Sequence, residues 1–434
     1  MKQFTRLSKA AAVAAAGAIA LAGCTGSGVE SPAEDGPIDI SGELSGTIKF
    51  QTWSLKNEKF TPYFEDLIAA FEEEHPDVTV EWIDQPGEGY SDKILSQASS
   101  GTLPDVLNLP PDIAFPLVQA GQLLDLAEAH PGLDAQYNEG GWQAYSGYTG
   151  VEGTYGLPWY LGSDVSWWDL AKLEPYGVTQ ADLPTTVDGW LDLGERVAAE
   201  SDGEVMLISA MPTVDVFLAN GIELMDEDGA FVFNTPEAAA LVQGYADAYA
   251  AGAMPAEALT GSYAGNAQMY LQGQVAYTSG GPGFAGDLAT QAPSLLETSV
   301  ATPRAGVPPL YVQGLNVAAT SENKAAALAF AEYVTNQENQ VAFTTLAAGF
   351  APGTAEGADE VAAAVAADMS PAQADALNVM FDALGGARAM PFQWTSAMSD
   401  YANQQLALAV RGDITAEAAL DEVVAYANEN RIDQ

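Results

Sequence analysis

Between residues 47 and 109 the chain alternates two hydrophobic periods, and that alternation limits its fold more than any other feature. Ile48, Phe50 and Thr52 fall on one face of an extended segment, 47–53. Phe64, Leu67, Ile68 and Phe71 then recur at i, i+3, i+4 and i+7. That is the stripe of an amphipathic helix, which His75-Pro76 stops. Residues 78–83 read as a second strand, 91–100 as a helix ended by Gly101, and 105–109 as a third strand closed by Pro110-Pro111. Strand, helix, strand, helix, strand predicts a parallel sheet with right-handed crossovers, an α/β fold. Ligands of such sheets bind beyond the carboxyl ends of the strands. Residues 53–60 and 108–112 are therefore expected along one rim.

Further on, 155–168 concentrates Trp159, Tyr160, Trp167 and Trp168 around one carboxylate, Asp164. Gly156 and Pro158 punctuate it, so it is not expected to be one regular element. It reads as a strap passing from one lobe to another and lining the gap with aromatic faces. Trp167 and Trp168 read as core, as do Trp53 and Trp82; Trp159 and Tyr160 are open to either role. Leu183-Pro184-Thr185-Thr186 is expected to cap a helix carrying Trp190, Leu193 and Val197, and 204–210 reads as an apolar strand. Asp226-Glu227-Asp228-Gly229 lacks the alternate ligands and distal Glu of a calcium loop and reads as a hairpin turn. Thr235, Pro236 and Glu237 open a helix with Leu241, Tyr245, Ala248 and Tyr249 inward, ended by Gly252. Residues 274–279 read as a strand, and 302–309 as a return toward the first lobe. Helices are expected at 321–336 with Ser321 as cap, and at 360–368, 402–410 and 416–428. His75 and His130, each before a proline, read as solvated.

The amino terminus is a separate signal. Lys2, Arg6 and Lys9 precede an apolar run, 10–22, too short for the ~20 residues of a membrane span. It reads as an export leader. It ends Leu21-Ala22-Gly23-Cys24, and Cys24 is the single cysteine of the chain. Small residues before a cysteine at that place resemble a lipobox, which implies cleavage before Cys24, its lipidation, and anchoring on the outer face of the cell membrane. Residues 24–45, rich in Gly, Ser, Pro and acids, read as a flexible tether. The remaining length suits two domains or two large lobes. A net charge of −45 repels phosphate backbones and excludes nucleic acid as a partner.

The order of these segments resembles the family 1 extracellular solute-binding proteins, the sugar-receptor lipoproteins of ABC importers. The resemblance rests on 47–53, on Ala69-Ala70-Phe71-Glu72 leading to His75-Pro76-Asp77-Val78, and on Ser100-Gly101-Thr102-Leu103-Pro104-Asp105-Val106. It continues through Ala120-Gly121-Gln122-Leu123-Leu124-Asp125-Leu126, Gly156-Leu157-Pro158-Trp159, Asn234-Thr235-Pro236-Glu237, Gln313-Gly314-Leu315-Asn316 and 323–330. It implies a type II periplasmic-binding-protein-like fold: two α/β lobes with a hinge crossed more than once. Beyond the leader at 1–23 and the tether at 24–45, one lobe is expected from 46–157 and 313–350 and the other from 158–312 and 351–434. It further implies a monomer, importer membrane subunits as partners and a sugar in the cleft; no cofactor or metal is expected. The family often places a ligand aspartate eight positions after the strand aspartate; Asp112 stands seven after Asp105, an offset that also occurs within the family, and so is a candidate. A family glutamate falls on Gly162, leaving Asp164 as substitute, and an aromatic falls on Gly283 with Phe284 beside it. These departures argue against maltose itself.

A sugar presents apolar C–H faces and a rim of hydroxyls, which aromatic rings and carboxylates or amides match. The candidate ligand contacts are Asn57, Glu58, Asp112, Asp164 and Gln313 for hydroxyls, with Trp159, Phe284, Tyr311 and Trp394 as aromatic faces. Two rivals remain: a receptor for a polyamine or other cation on the same fold, and a secreted glycosidase, for which carboxylate pairs are abundant. No nucleophile elbow, phosphate loop or metal-binding His cluster is present in the sequence.

Overall fold

The computed structural model describes residues 36–431 except 147, 149, 150, 227, 261, 262 and 366–368. The leader and Cys24 lie outside the described residues, as does the first half of the tether. Nine strands occur among the described residues: β1 (Gly46–Trp53), β2 (Val78–Gln85), β3 (Val106–Leu109), β4 (Leu157–Gly162), β5 (Val165–Asp169), β6 (Tyr277–Gly280), β7 (Ser299–Pro303), β8 (Tyr311–Val317) and β9 (Ala351–Pro352). They form a six-stranded sheet, β2-β1-β3-β8-β4-β9, and a three-stranded sheet, β6-β5-β7.

The predicted strand–helix alternation is present, with helices Thr61–Glu74 and Tyr90–Ser99 as the crossovers. β1 runs parallel to both β2 and β3. The sheet does not stay parallel, because β8 returns from the second sheet and pairs antiparallel with both β3 and β4. One consequence sets the geometry of the molecule. The carboxyl ends of β1, β2, β3 and β4 and the amino end of β8 share one edge, with Gly162 opposite Tyr311.

The expected strap is two strands. β4 belongs to the large sheet and β5 to the small one, joined only by Ser163 and Asp164, both buried. The first passage between the sheets thus lies at 163–164. The chain returns through 304–310, and β9 keeps it in the large sheet as far as Pro352. After that, helix Pro371–Leu384, which the sequence reading missed, packs on β7.

One face of the large sheet buries Ile48, Phe50, Leu157, Leu315 and Val317 under Phe64, Leu67 and Phe71 of the first helix and Phe330 of helix Lys324–Val334. Trp159 joins this face. The pairing of β4 with β8 shifts register between Pro158 and Tyr160, a bulge that also suits a proline inside a strand. Trp159 is fully buried, stacked on Phe343 at 4.8 Å with Phe64 at 5.8 Å.

Local expectations are met where the signal is chemical. Thr235 accepts from the Ala238 N–H at 3.2 Å and opens helix Pro236–Ala250, which buries Leu241, Tyr245 and Ala248, though Tyr249 stays half-buried. Thr186 caps Val187–Glu200 in the same way. Thr235→Ala is expected to cost about 1 kcal/mol in a urea melt. Asp226 folds its carboxylate onto the N–H groups of Asp228 and Ala230 while Met225 pairs with Phe231, a tight turn. Trp167 and Trp168 are core, whereas Trp53 and Trp82 are only half-buried.

Three expectations fail for identifiable reasons. Residues 204–210 make a single bridge, Met206 to Val275, because Leu207 and Ile208 both donate to the Ala253 carbonyl instead of a ladder. Ser321 does not cap its helix: it donates to Asp105 at 2.6 Å and accepts from Asn323, and the helix begins at Lys324. His130 is not merely solvated, since its Nδ1 lies 2.7 Å from the Glu332 carboxylate.

Candidate functional site

The two passages between the sheets are chemically linked. Asp164, on the first, is almost fully buried. Arg304, at the start of the second, brings Nη1 to 3.6 Å from its Oδ2, and the Tyr311 hydroxyl donates to the same oxygen at 3.3 Å. Burial alone would lower the Arg304 pKa. Tyr277, Asp164, Asp215 and Tyr311 around it outweigh that, and the guanidinium is held more firmly charged than usual.

These residues line a cavity of about 410 Å³, within the size range of small-ligand pockets. Its walls come from the return passage through Tyr311, the small sheet (Tyr277, Ser279), helix Val214–Ala219, and the segment carrying Arg388, Met390 and Trp394. Aromatic surface comes from Trp190, Tyr245, Tyr277 and Trp394. The charged lining groups are Asp164, Asp215, Arg304 and Arg388, two of each sign. The Asp215 carboxylate accepts from the Thr213 hydroxyl. Two lining groups are buried polar atoms with no hydrogen-bond partner among the described residues: the Ser209 hydroxyl and the Trp190 indole N–H. Buried polar groups are normally paired, so each such atom beside a cavity points to something that fills it.

Of the nine candidates, the cavity gathers Asp164, Tyr311 and Trp394. Trp394 is fixed by its N–H to the Ser399 hydroxyl at 2.8 Å and by edge contact with Phe231. The other six stand elsewhere. Trp159 has no accessible surface and therefore no face to offer a ligand in this conformation. Phe284 is buried at the start of helix Phe284–Gln291, against Trp167 and Tyr270. Gln313, on β8, accepts from the Asn108 side chain at 3.1 Å. The Asn57 oxygen accepts from the Lys59 and Phe60 N–H groups and locks the turn before the first helix. Glu58 is exposed in that turn. Asp112 lies in the first turn of helix Pro111–Gln119, on the shared edge but outside the cavity. Its carboxyl is exposed at its surface yet ringed by protein, and desolvation raises its pKa, opposed by the Asp112 and Ile113 N–H groups.

Gly162, at the end of β4, has little room for a side chain. A Cβ there would lie 3.2 Å from the Phe350 ring. Phe350 is 39% exposed and packs against Tyr160 at 5.0 Å, near Tyr311, which is 50% exposed. Sequence reasoning missed Phe350, Arg304, Arg388, Asp215 and Ser209. The one available signal was scarcity: two of only six arginines line this cavity.

A family model described as bacterial extracellular solute-binding protein matches residues 57–341, more than half of the chain. A galactooligosaccharide-binding protein of Bacillus subtilis (strain 168) is 27% identical over 165 residues, 38% of this chain and 36% of that protein. The match thus spans little more than a third of that relative. Among solved structures, a periplasmic-binding protein from Synechococcus sp. MITs9220 superposes with TM-score 0.78 at 23% identity, covering 88% of this chain and 98% of the other. The sugar-binding protein MalE from Xanthomonas citri gives 0.72 at 20%, covering 88% and 97%. The GacH receptor of Streptomyces glaucescens GLA.O, solved unliganded and with acarbose, gives 0.68 at 20%, covering 90% and 100%. At these identities the structures establish the fold, the two-lobe α/β architecture of periplasmic sugar-binding proteins. Among the described residues no helix is long and apolar enough to cross a membrane.

Proposed function

Because this chain belongs to the bacterial extracellular solute-binding protein family, we propose that it is a saccharide receptor of an ABC importer. The cavity between Asp164, Tyr311 and Trp394 holds the solute without altering it. The observation that carries this reading is the lining: aromatic faces beside charged groups, with the Ser209 hydroxyl and Trp190 N–H left open. The names of the relatives, galactooligosaccharide-binding and sugar-binding, support the solute class. Micromolar capture needs roughly −8 kcal/mol. A few charge-assisted bonds at about 1.5–3 kcal/mol each, with stacked rings, reach that after ordering costs.

Lobe closure follows from where the cavity lies. A solute touching both 163–164 and 304–311 touches both passages between the sheets, so its binding biases the hinge, and the importer's membrane subunits read the closed form. In this reading the lobes divide at those passages and again after Pro352. The receptor acts as a monomer outside the cell, anchored by lipid on Cys24. Two guanidinium groups in the lining count against a polyamine. Asp164, committed to Arg304 and Tyr311, is a poor nucleophile or acid for a glycosidase.

Melting the protein with a panel of neutral and charged oligosaccharides, and chromatographing the same mixtures, tests this. The expected result is stabilisation by a saccharide with no product formed; turnover would make it an enzyme, and no stabilisation by any member would reject the reading. Trp394→Ala is expected to weaken the best saccharide at least about tenfold by calorimetry, with melting still cooperative.

A further inference from the structure

We infer that the solute carries an anionic group, a carboxylate or sulfate ester on a sugar ring, and that Arg388 receives it; this rests on the saccharide reading. The chain has 59 acidic side chains against 14 Lys and Arg, so a basic side chain has an acid within easy reach almost anywhere. The other described arginines are engaged. Arg196 pairs with Glu200 at 3.3 Å, Arg411 with Asp413 at 2.9 Å and Arg304 with Asp164 at 3.6 Å, and Arg431 also has a partner. Among the described residues Arg388 alone has a guanidinium with no carboxylate, ring or hydrogen-bond acceptor upon it, and it lines the cavity.

Its position is fixed although its side chain is exposed. The Arg388 N–H donates to the Pro308 carbonyl at 2.9 Å, and its carbonyl accepts from the Leu310 N–H at 2.8 Å. The backbone is thereby stitched to the passage between the sheets, and the guanidinium hangs from an anchored Cα at the cavity wall. The second arginine of the cavity is already neutralised by Asp164, with Asp215 nearby, so the open positive charge is Arg388. A planar guanidinium offers two parallel N–H donors to a carboxylate or sulfate, a fork that a neutral hydroxyl matches poorly. The long-range repulsion of an acidic chain is screened beyond about 8 Å at physiological salt, which leaves the local contact to decide.

Calorimetry on matched pairs tests this in the full protein: uronic-acid oligosaccharides against their carboxyl-reduced forms, and sulfated against unsulfated oligosaccharides of galactose, glucose and mannose. The expected result is an acidic member bound at least about tenfold more tightly than its neutral mate. Arg388→Gln should bring that ratio below about twofold, and Arg388→Lys, a point charge without the fork, should retain part of it. Which pair shows the preference distinguishes carboxylate from sulfate. Neutral mates binding as tightly as acidic ones, or an unchanged ratio in a cooperatively melting Arg388→Gln, would overturn the inference and leave the saccharide reading standing. Binding of no member of any pair would overturn both.

Discussion

Trp159→Ala is expected to cost about 3–5 kcal/mol of folding stability, the usual loss for truncating a buried tryptophan. The ring is fully buried and stacks on Phe343 with Phe64 and Phe50 around it. Removing it opens a void under the large sheet that neighbours anchored in two helices close only in part. The same variant, at a temperature where it stays folded, should keep its saccharide affinity, because nothing of Trp159 faces the cavity. Chemical denaturation and calorimetry on one preparation check both halves. Near-native stability with lost affinity would return Trp159 to the binding site and contradict its place in the core.

The second large effect is at Asp164. Its side chain is 5% accessible, and that of Arg304 is 20% accessible. Removing one partner of a buried pair strands the other charge, at a cost of about 3–5 kcal/mol; the nearby Asp215 places Asp164→Ala at about 3. The variant also removes the acceptor of the Tyr311 hydroxyl, so both passages lose their common tie. Saccharide affinity should fall together with stability. Asp164→Asn with Arg304→Gln removes both charges, and the double variant should be less destabilised than the sum of Asp164→Asn and Arg304→Gln alone, a coupling that independent sites would not show. Additive losses would mean that the pair does not tie the passages.

Both residues belong to the same aromatic stretch, and they show what a sequence can reveal here. The early strand–helix alternation was legible because burial on one face imposes a period, and caps such as Thr235 were legible because their chemistry is local. Trp159 was not. Which face of β4 is core depends on pairing with β8, far along the chain, and a core ring and a ligand ring are the same residue type. Asp164 was legible as the lone carboxylate between aromatics, though its partner Arg304 was not, since only the fold brings the two passages together. Phe284 and Gln313 lay near the right breaks in the chain, but one packs into the small sheet's core and the other is spent on Asn108. The lone arginine stitched to Pro308 and Leu310 has no periodicity or motif to mark it.

If the solute sits among the two passages and the Arg388–Trp394 segment, those backbones must be shielded when it binds. Amide hydrogen exchange with and without a saturating saccharide reads this segment by segment. Slowed exchange is expected in 163–165, 209–219, 304–311 and 388–394. Protection confined to the rim at 57–60 and 110–113, with those four segments unchanged, would place the solute elsewhere and contradict the binding site.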